Sequence, residues 1–207
     1  MHEKDTERGM TLRDKKGKIE VVIGPMYSGK TEELIRRVVR RTIARQRGVI
    51  FKISSDTRTK EEKVISRAGT SLEAKVVDVA SDALKYVDEG FDYVAFDEVQ
   101  FFDDKIVDVV KEFVNHGTDV IVAGLNLDFR GEPFESVMKI AAISDEIALL
   151  KAVCVVCGED ATRTQRLILK NGKWMPASKS DPVFKVEGED IQIKYEPRCK
   201  DCWEVEE

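Results

Sequence analysis

The chain has no apolar run approaching the ~20 residues that a membrane-spanning helix needs, which sets aside a helical membrane protein. Its start also lacks the apolar stretch of a secretory signal. Residues 1–17 are mostly charged or polar and read as a flexible arm. A basic excess is missing too: 34 Lys and Arg face 39 Asp and Glu, for a net charge of −5. That balance argues against a dedicated nucleic-acid binder. No internal repeat or low-complexity tract is visible. The two histidines, His2 and His116, have no recognisable partners, and neither is assigned to a site. A cytoplasmic address with no membrane partner is the expectation. There, four cysteines suit metal binding better than disulfide bonding.

What is present is enough for a core. Of 207 residues, 42% are hydrophobic, which suits one domain or one domain with a small appendage. Short apolar runs predict strands at 19–23, 49–53, 76–79, 93–96, 120–123 and 147–150. Between them, helical spacing predicts helices at 31–47, from Ser81 as cap to about 88, 104–115 and 133–143. Gly48 is expected to stop the first helix, and 54–63 to form a polar loop. Alternating strands and helices predict an α/β fold, with a mainly parallel sheet covered on both faces. From Lys151 onward the pattern changes to cysteine pairs, turns and short alternating runs, with no helix expected. The boundary is therefore set between 18–150 and 151–207. The latter segment is too short for much of a core, so a metal staple is physically reasonable.

Gly24-Pro25-Met26-Tyr27-Ser28-Gly29-Lys30-Thr31 matches G-x-x-x-x-G-K-[ST] between a predicted strand and a predicted helix. Its glycines allow a sharp turn that aims backbone N–H groups at phosphates. The helix start adds a positive dipole end. Lys30 is expected near the β and γ phosphates, and the Thr31 hydroxyl on Mg²⁺. The strand Val94-Ala95-Phe96 ends in Asp97-Glu98. An acid there holds Mg²⁺ in such proteins, which suits Asp97. Glu98 is placed to act as general base. A solvated acidic strand end is the plainer alternative.

Cys154-x-x-Cys157 and Cys199-x-x-Cys202 use every cysteine, with 41 residues between the pairs. Two C-x-x-C knuckles suit a tetrahedral, structural zinc site. Two disulfides or four free thiols remain the alternatives.

Together these segments resemble the thymidine kinase family whose members carry a zinc-bearing lasso. The phosphate loop resembles the family's over all eight positions. Phe96-Asp97-Glu98-Val99-Gln100-Phe101-Phe102 is similar to its second motif, and Gly124-Leu125 with Asp128-Phe129-Arg130-Gly131-Glu132-Pro133-Phe134 to its third. Tyr195-Glu196-Pro197-Arg198-Cys199 is similar to the end of the lasso. The resemblance implies a P-loop NTPase-like (RecA-like) fold with a small C-terminal zinc-binding lasso domain. It implies transfer of the ATP γ-phosphate to the 5′-hydroxyl of thymidine, with Mg²⁺ and a structural Zn²⁺. Asp56, Arg58 and Gln100 would join the phosphate loop around ATP. Met26, Phe101, Leu125, Phe129, Phe134, Thr164, Val186, Gly188 and Tyr195 would surround the thymidine. For Leu125 and Phe134 plain core packing is the alternative. The family also implies a homotetramer and feedback binding of dTTP. Two positions depart from its pattern: Glu187 replaces the first glycine of a Gly-Gly step, and Asn126 stands where an acid is common.

Two other functions are weighed. One is a P-loop ATPase with a nucleic-acid-binding zinc ribbon, which would want a basic and aromatic zinc segment; Glu187, Glu189, Asp190 and the acidic 204–207 tail oppose it. The other is a nucleotide sensor, which has no use for Glu98. The arginines of the first helix (Arg36, Arg37, Arg40, Arg41, Arg45 and Arg47) read as a solvated face. Trp174 and Trp203 read as packing residues.

Overall fold

A computed structural model describes residues 15–55, 63–65, 69–184 and 192–207. The segments expected to supply Asp56, Arg58, Val186, Glu187 and Gly188 lie outside the described residues.

The first half alternates strand and helix. The elements are β1 (Ile19–Gly24), α1 (Lys30–Ile43), β2 (Gly48–Ile53), β3 (Lys63–Ile65), β4 (Ser71–Glu73), β5 (Lys75–Val77), β6 (Tyr93–Phe96), α2 (Ile106–Asn115), β7 (Asp119–Leu125), α3 (Glu135–Ala142) and β8 (Glu146–Leu149). A 3₁₀ segment, Ala80–Glu89, precedes β6. Six strands form one sheet in the order β5-β2-β6-β7-β1-β8. Every neighbouring pair in it is parallel. β3 and β4 form a separate hairpin.

Side chains alternate across a strand, so a strand buried on both faces is apolar throughout. Val94 and Phe96 of β6 and Val120 and Val122 of β7 face one core with α2 and α3. Ala95, Ile121 and Ala123 face the other, against Leu34, Ile35 and Val38 of α1. Phe51, Phe96 and Phe113 contact one another in the first core, with Phe51 and Phe96 stacked at 5.2 Å.

Two expectations at the first helix are corrected. α1 ends at Ile43, not near 47, because Arg45 adopts φ 61° and the Gln46 N–H turns back to Arg41 O. Gly48 does not stop the helix; it opens β2 against the Tyr93 ring, where a Cβ would lie 2.3 Å from Cζ. Nor are Arg37 and Arg41 a solvated face. Arg37 binds Glu20, Glu33 and Glu146, and Arg41 binds Glu20 and Asp119. These pairs tie α1 to the lower ends of three strands. Ser81 caps no helix, since the turn begins at Ala80 and is 3₁₀.

The second half is built from strands. β9 (Ala152–Val153) and β10 (Asp160–Ala161) make a short hairpin. β11 (Arg163–Lys170), β12 (Lys173–Pro176) and β13 (Ile193–Arg198) form an antiparallel sheet with β11 central. Among the described residues no helix follows α3, and none is long and apolar enough to cross a membrane.

Candidate functional site

The upper ends of β1, β7 and β6 lie side by side in the sheet. In open parallel sheets, ligands bind beyond these carboxyl ends. β1 runs into the glycine-bounded loop, residues 24–31. A Cβ on Gly24 would lie 2.6 Å from Leu150 O and 2.7 Å from Ser28 Oγ, so only glycine fits beneath the loop. Gly29 caps α1 at φ 84°, the left-handed region that glycine enters without strain. It has no side chain to cap the first helical N–H groups, which leaves that end suited to an anion. Lys30 is buried, and its Nζ donates to Pro25 O at 2.7 Å, as does Ser28 Oγ at 2.8 Å.

Asp97 and Glu98 follow β6 and are each 7% exposed. Thr31 Oγ1 donates to Asp97 Oδ2 at 3.3 Å, and Asp97 Oδ1 accepts the Glu98 N–H at 3.0 Å. Glu98 itself sits at φ 52°, which is costly for a residue with a Cβ. The bend turns its carboxylate toward Gln100, whose Nε2 donates to Glu98 Oε2. Gln100 Oε1 accepts the Leu125 N–H of β7 at 2.9 Å. The buried Gln100 side chain therefore bridges two strand ends. It is expected among the ATP ligands, and its amide here bonds Glu98 and Leu125. Close by, Asn126 Oδ1 is the one buried side-chain polar atom among the described residues without a partner.

The β11–β13 sheet reaches this loop. The Met26 N–H donates to Thr164 Oγ1 at 3.0 Å, and Tyr27 Oη donates to Tyr195 O at 3.0 Å. Met26, Thr164 and Tyr195 thus meet at the phosphate loop. Phe101 and Phe134 meet through Phe184, whose ring lies 5.1 Å from the first and 5.8 Å from the second. Phe129 stands apart, buried with Ile168, Ala177 and Ile193 and with Tyr195 against that group. Trp203 Nε1 donates to Phe129 O, consistent with the packing role read from its sequence context.

Two residues that the sequence reading did not single out are prominent here. Phe184 carried no signal beyond being an isolated aromatic in a polar segment. Arg166 is a charge on a central strand, followed by Leu-Ile-Leu, and it is buried. Burial lowers its pKa, against the attraction and hydrogen bond of Tyr195.

The four cysteines form the second centre. The Cys154 and Cys157 knuckle lies between β9 and β10, where Gly158 at φ 81° returns its N–H to Cys154 O. Cys199 and Cys202 follow β13. All four Sγ atoms lie within 4.8 Å of one another. None of the four is in a disulfide, and Cys157 and Cys199 Sγ are 3.6 Å apart, well beyond the ~2.05 Å of a disulfide. Tetrahedral zinc with Zn–S near 2.3 Å sets its thiolates about 3.8 Å apart, so the cluster fits that ion. Burial opposes ionisation of Cys154, but N–H groups of Cys199, Cys157 and Val156 outweigh it and lower the thiol to about 6. Hydrogen bonding to Cys199 and Cys157 pushes Cys202 up to about 12. Four thiolates this close repel one another without a cation among them.

The loop, the paired acids and the cysteine cluster all fall within a match to the model of the thymidine kinase family, which spans residues 17–203. That match covers most of the sequence, so the chain belongs to the thymidine kinase family, whose members are kinases that phosphorylate thymidine.

Proposed function

We propose that the chain transfers the γ-phosphoryl group of ATP to the 5′-hydroxyl of thymidine, with deoxyuridine as a further acceptor, to make dTMP for nucleotide salvage and DNA synthesis. In this proposal Glu98 takes the proton as the 5′-oxygen bonds to the γ-phosphorus. The bond from phosphorus to the β,γ-bridging oxygen breaks, and ADP leaves with its electron pair. Such reactions depend chiefly on positioning and electrostatic stabilisation. Lys30 serves the charge on the transferred group, and the backbone of residues 24–29 cradles the other phosphates.

Thr31 and Asp97 are the residues proposed to hold Mg²⁺, which neutralises phosphate charge when bound. The observation that carries the proposal is the 3.3 Å contact between Thr31 Oγ1 and Asp97 Oδ2, with Glu98 next in sequence and bent toward the same strand ends. A carboxylate accepts up to about four hydrogen bonds, so the bond from Gln100 orients Glu98 without exhausting it. Asp56 and Arg58 are proposed to complete the phosphate site.

Met26, Phe101, Leu125, Phe134, Thr164 and Tyr195 are proposed to enclose the nucleoside, with Val186 and Gly188 from the loop that precedes β13. Phe129 is proposed to support this wall from behind, since its ring is buried in the neighbouring cluster. Residues 18–150 form the proposed phosphate-handling domain and 151–207 the zinc-binding lasso domain. Cys154, Cys157, Cys199 and Cys202 would hold a structural Zn²⁺, which closes the base of that loop when bound. A cytoplasmic homotetramer with feedback binding of dTTP completes the proposal.

The test is ATP consumption with thymidine, deoxyuridine, deoxycytidine or DNA as the second component. Phosphorylation of thymidine is the expected result. No transfer to any nucleoside, with ATP hydrolysis stimulated by DNA, would replace the proposal with a nucleic-acid-dependent ATPase.

A further inference from the structure

Arg166 is the largest of the fully buried side chains, at 1% exposure. Its three hydrogen bonds all go to uncharged oxygens. Nε donates to Tyr195 Oη at 2.9 Å, Nη1 to Pro182 O at 2.5 Å, and Nη2 to Val183 O. The guanidinium carbon also lies over the Phe129 ring, 3.8 Å from its centroid. Asp128 and Asp181 attract it from farther away.

A cation buried on a strand is a poor way to fill space. An apolar side chain of similar volume packs as well or better, because it loses no hydration. What an arginine adds is a rigid planar fork that satisfies several acceptors at once. Here the fork joins three parts of the chain. Pro182 and Val183 lie on the segment after β12, Tyr195 lies on β13, and Phe129 lies on the loop after β7. Backbone carbonyls at 182 and 183 have no strand partner in the β11–β13 sheet, so Arg166 supplies the donors that strand pairing does not.

The residue that follows this clamp is Phe184. Its ring is half exposed and rests on Phe101 and Phe134. Two residues before Arg166 on the same face of β11, Thr164 accepts the Met26 N–H of the phosphate loop. One strand face thus carries two attachments, Thr164 to the loop at β1 and Arg166 to the segment bearing Phe184. Tyr195 is bonded at both ends: its hydroxyl accepts from Arg166 and its carbonyl from Tyr27.

We propose that Arg166 is a positioning residue for the acceptor nucleoside. It fixes residues 182–184 and Tyr195 against Phe129, and so sets Phe184 as an additional aromatic wall beside Phe101 and Phe134. It acts on acceptor affinity and not on the phosphoryl-transfer step. The inference rests on the nucleoside kinase function proposed above.

The experiment compares wild type with Arg166→Met and Arg166→Lys in the full-length, zinc-loaded protein. Steady-state kinetics and hydrogen exchange without substrate are both read. Arg166→Met is expected to raise thymidine KM about tenfold or more, with kcat within about threefold and ATP KM within about twofold. Amides at 181, 183, 184 and 192–195 should exchange faster, while those of β1, β6 and β7 do not change. Arg166→Lys keeps the charge but not the fork, so its KM should fall between the two. A residue that only holds the fold together would lower the unfolding midpoint and leave thymidine KM unaltered. Unaltered KM in a folded Arg166→Met protein, or unaltered exchange at 181–184, overturns the proposal. If Arg166→Met is not recovered folded, the same two criteria apply to Arg166→Lys, with about threefold as the least rise in KM that supports it. If wild type does not phosphorylate thymidine, the kinase function fails on its own, and the exchange measurement alone decides the role of Arg166.

Discussion

Thr31 and Asp97 stand 66 positions apart, yet their side chains meet at 3.3 Å, joining the start of α1 to the end of β6. Neither residue moves the other into place. Parallel pairing of β6 and β1 with β7 points both carboxyl ends to the same edge of the sheet, with Phe96 level with Val122 and Gly24 level with Leu125.

Replacing Glu98 by Gln keeps its shape and removes its basicity. The kcat for thymidine should fall by about 10²-fold or more, while ATP affinity by calorimetry stays within about threefold. Turnover equal to wild type would remove Glu98 from the proton transfer.

Gln100→Leu tests the bridge to Leu125. The change strips Glu98 of a donor and leaves the Leu125 N–H without its acceptor. A kcat loss of about tenfold is expected with ATP KM retained, plus a stability loss of about 1–3 kcal/mol by urea unfolding. If ATP KM rises about as much as kcat falls, Gln100 acts as an ATP ligand.

The cysteine cluster predicts one zinc per chain by metal analysis. Cys199→Ser should lose the metal, lower the unfolding midpoint and raise thymidine KM, because Cys199 directly follows β13. Zinc content near zero in wild-type protein purified without chelator would count against the assignment.

The α1 ion pairs carry a pH signature. Glu33 is lowered to about 2, first by the hydrogen bond from Arg36, against burial, and then by Arg37. Its folded pKa is below its unfolded value near 4.5, so this stability is present above that value and is lost as pH falls toward about 2. Glu33→Gln should cost about 1 kcal/mol at pH 7, given the partial solvent screening of the pair. The difference should shrink steadily below pH ~4.5. A gap that stays constant from pH 7 to 3 would place the effect elsewhere.

The central strands β6 and β7 were legible because they are buried on both faces and read as apolar runs; Tyr93–Phe96 matched to the residue. The phosphate loop and the acids after β6 were legible because local geometry fixes their residue types. Helix ends were read less well, since Arg45 took the left-handed position usually given to glycine. The β11–β13 sheet was read only as short alternating runs, without strand bounds or pairing. β13 contains Pro197, three of its four half-buried residues are charged, and its partner lies about thirty positions back, so no local pattern marks it. Arg166 and Phe184 were invisible for the same reason: their neighbours come from distant chain segments.

Met26 and Tyr27 belong to the phosphate loop, yet their hydrogen bonds end on Thr164 and Tyr195. A ligand that shifts the loop therefore works against bonds held by the second half of the chain. Any change this makes in affinity on the other side is reciprocal by thermodynamic linkage. The factor by which ATP alters thymidine binding must equal the factor by which thymidine alters ATP binding. The two bonds are where that shared free energy would be stored.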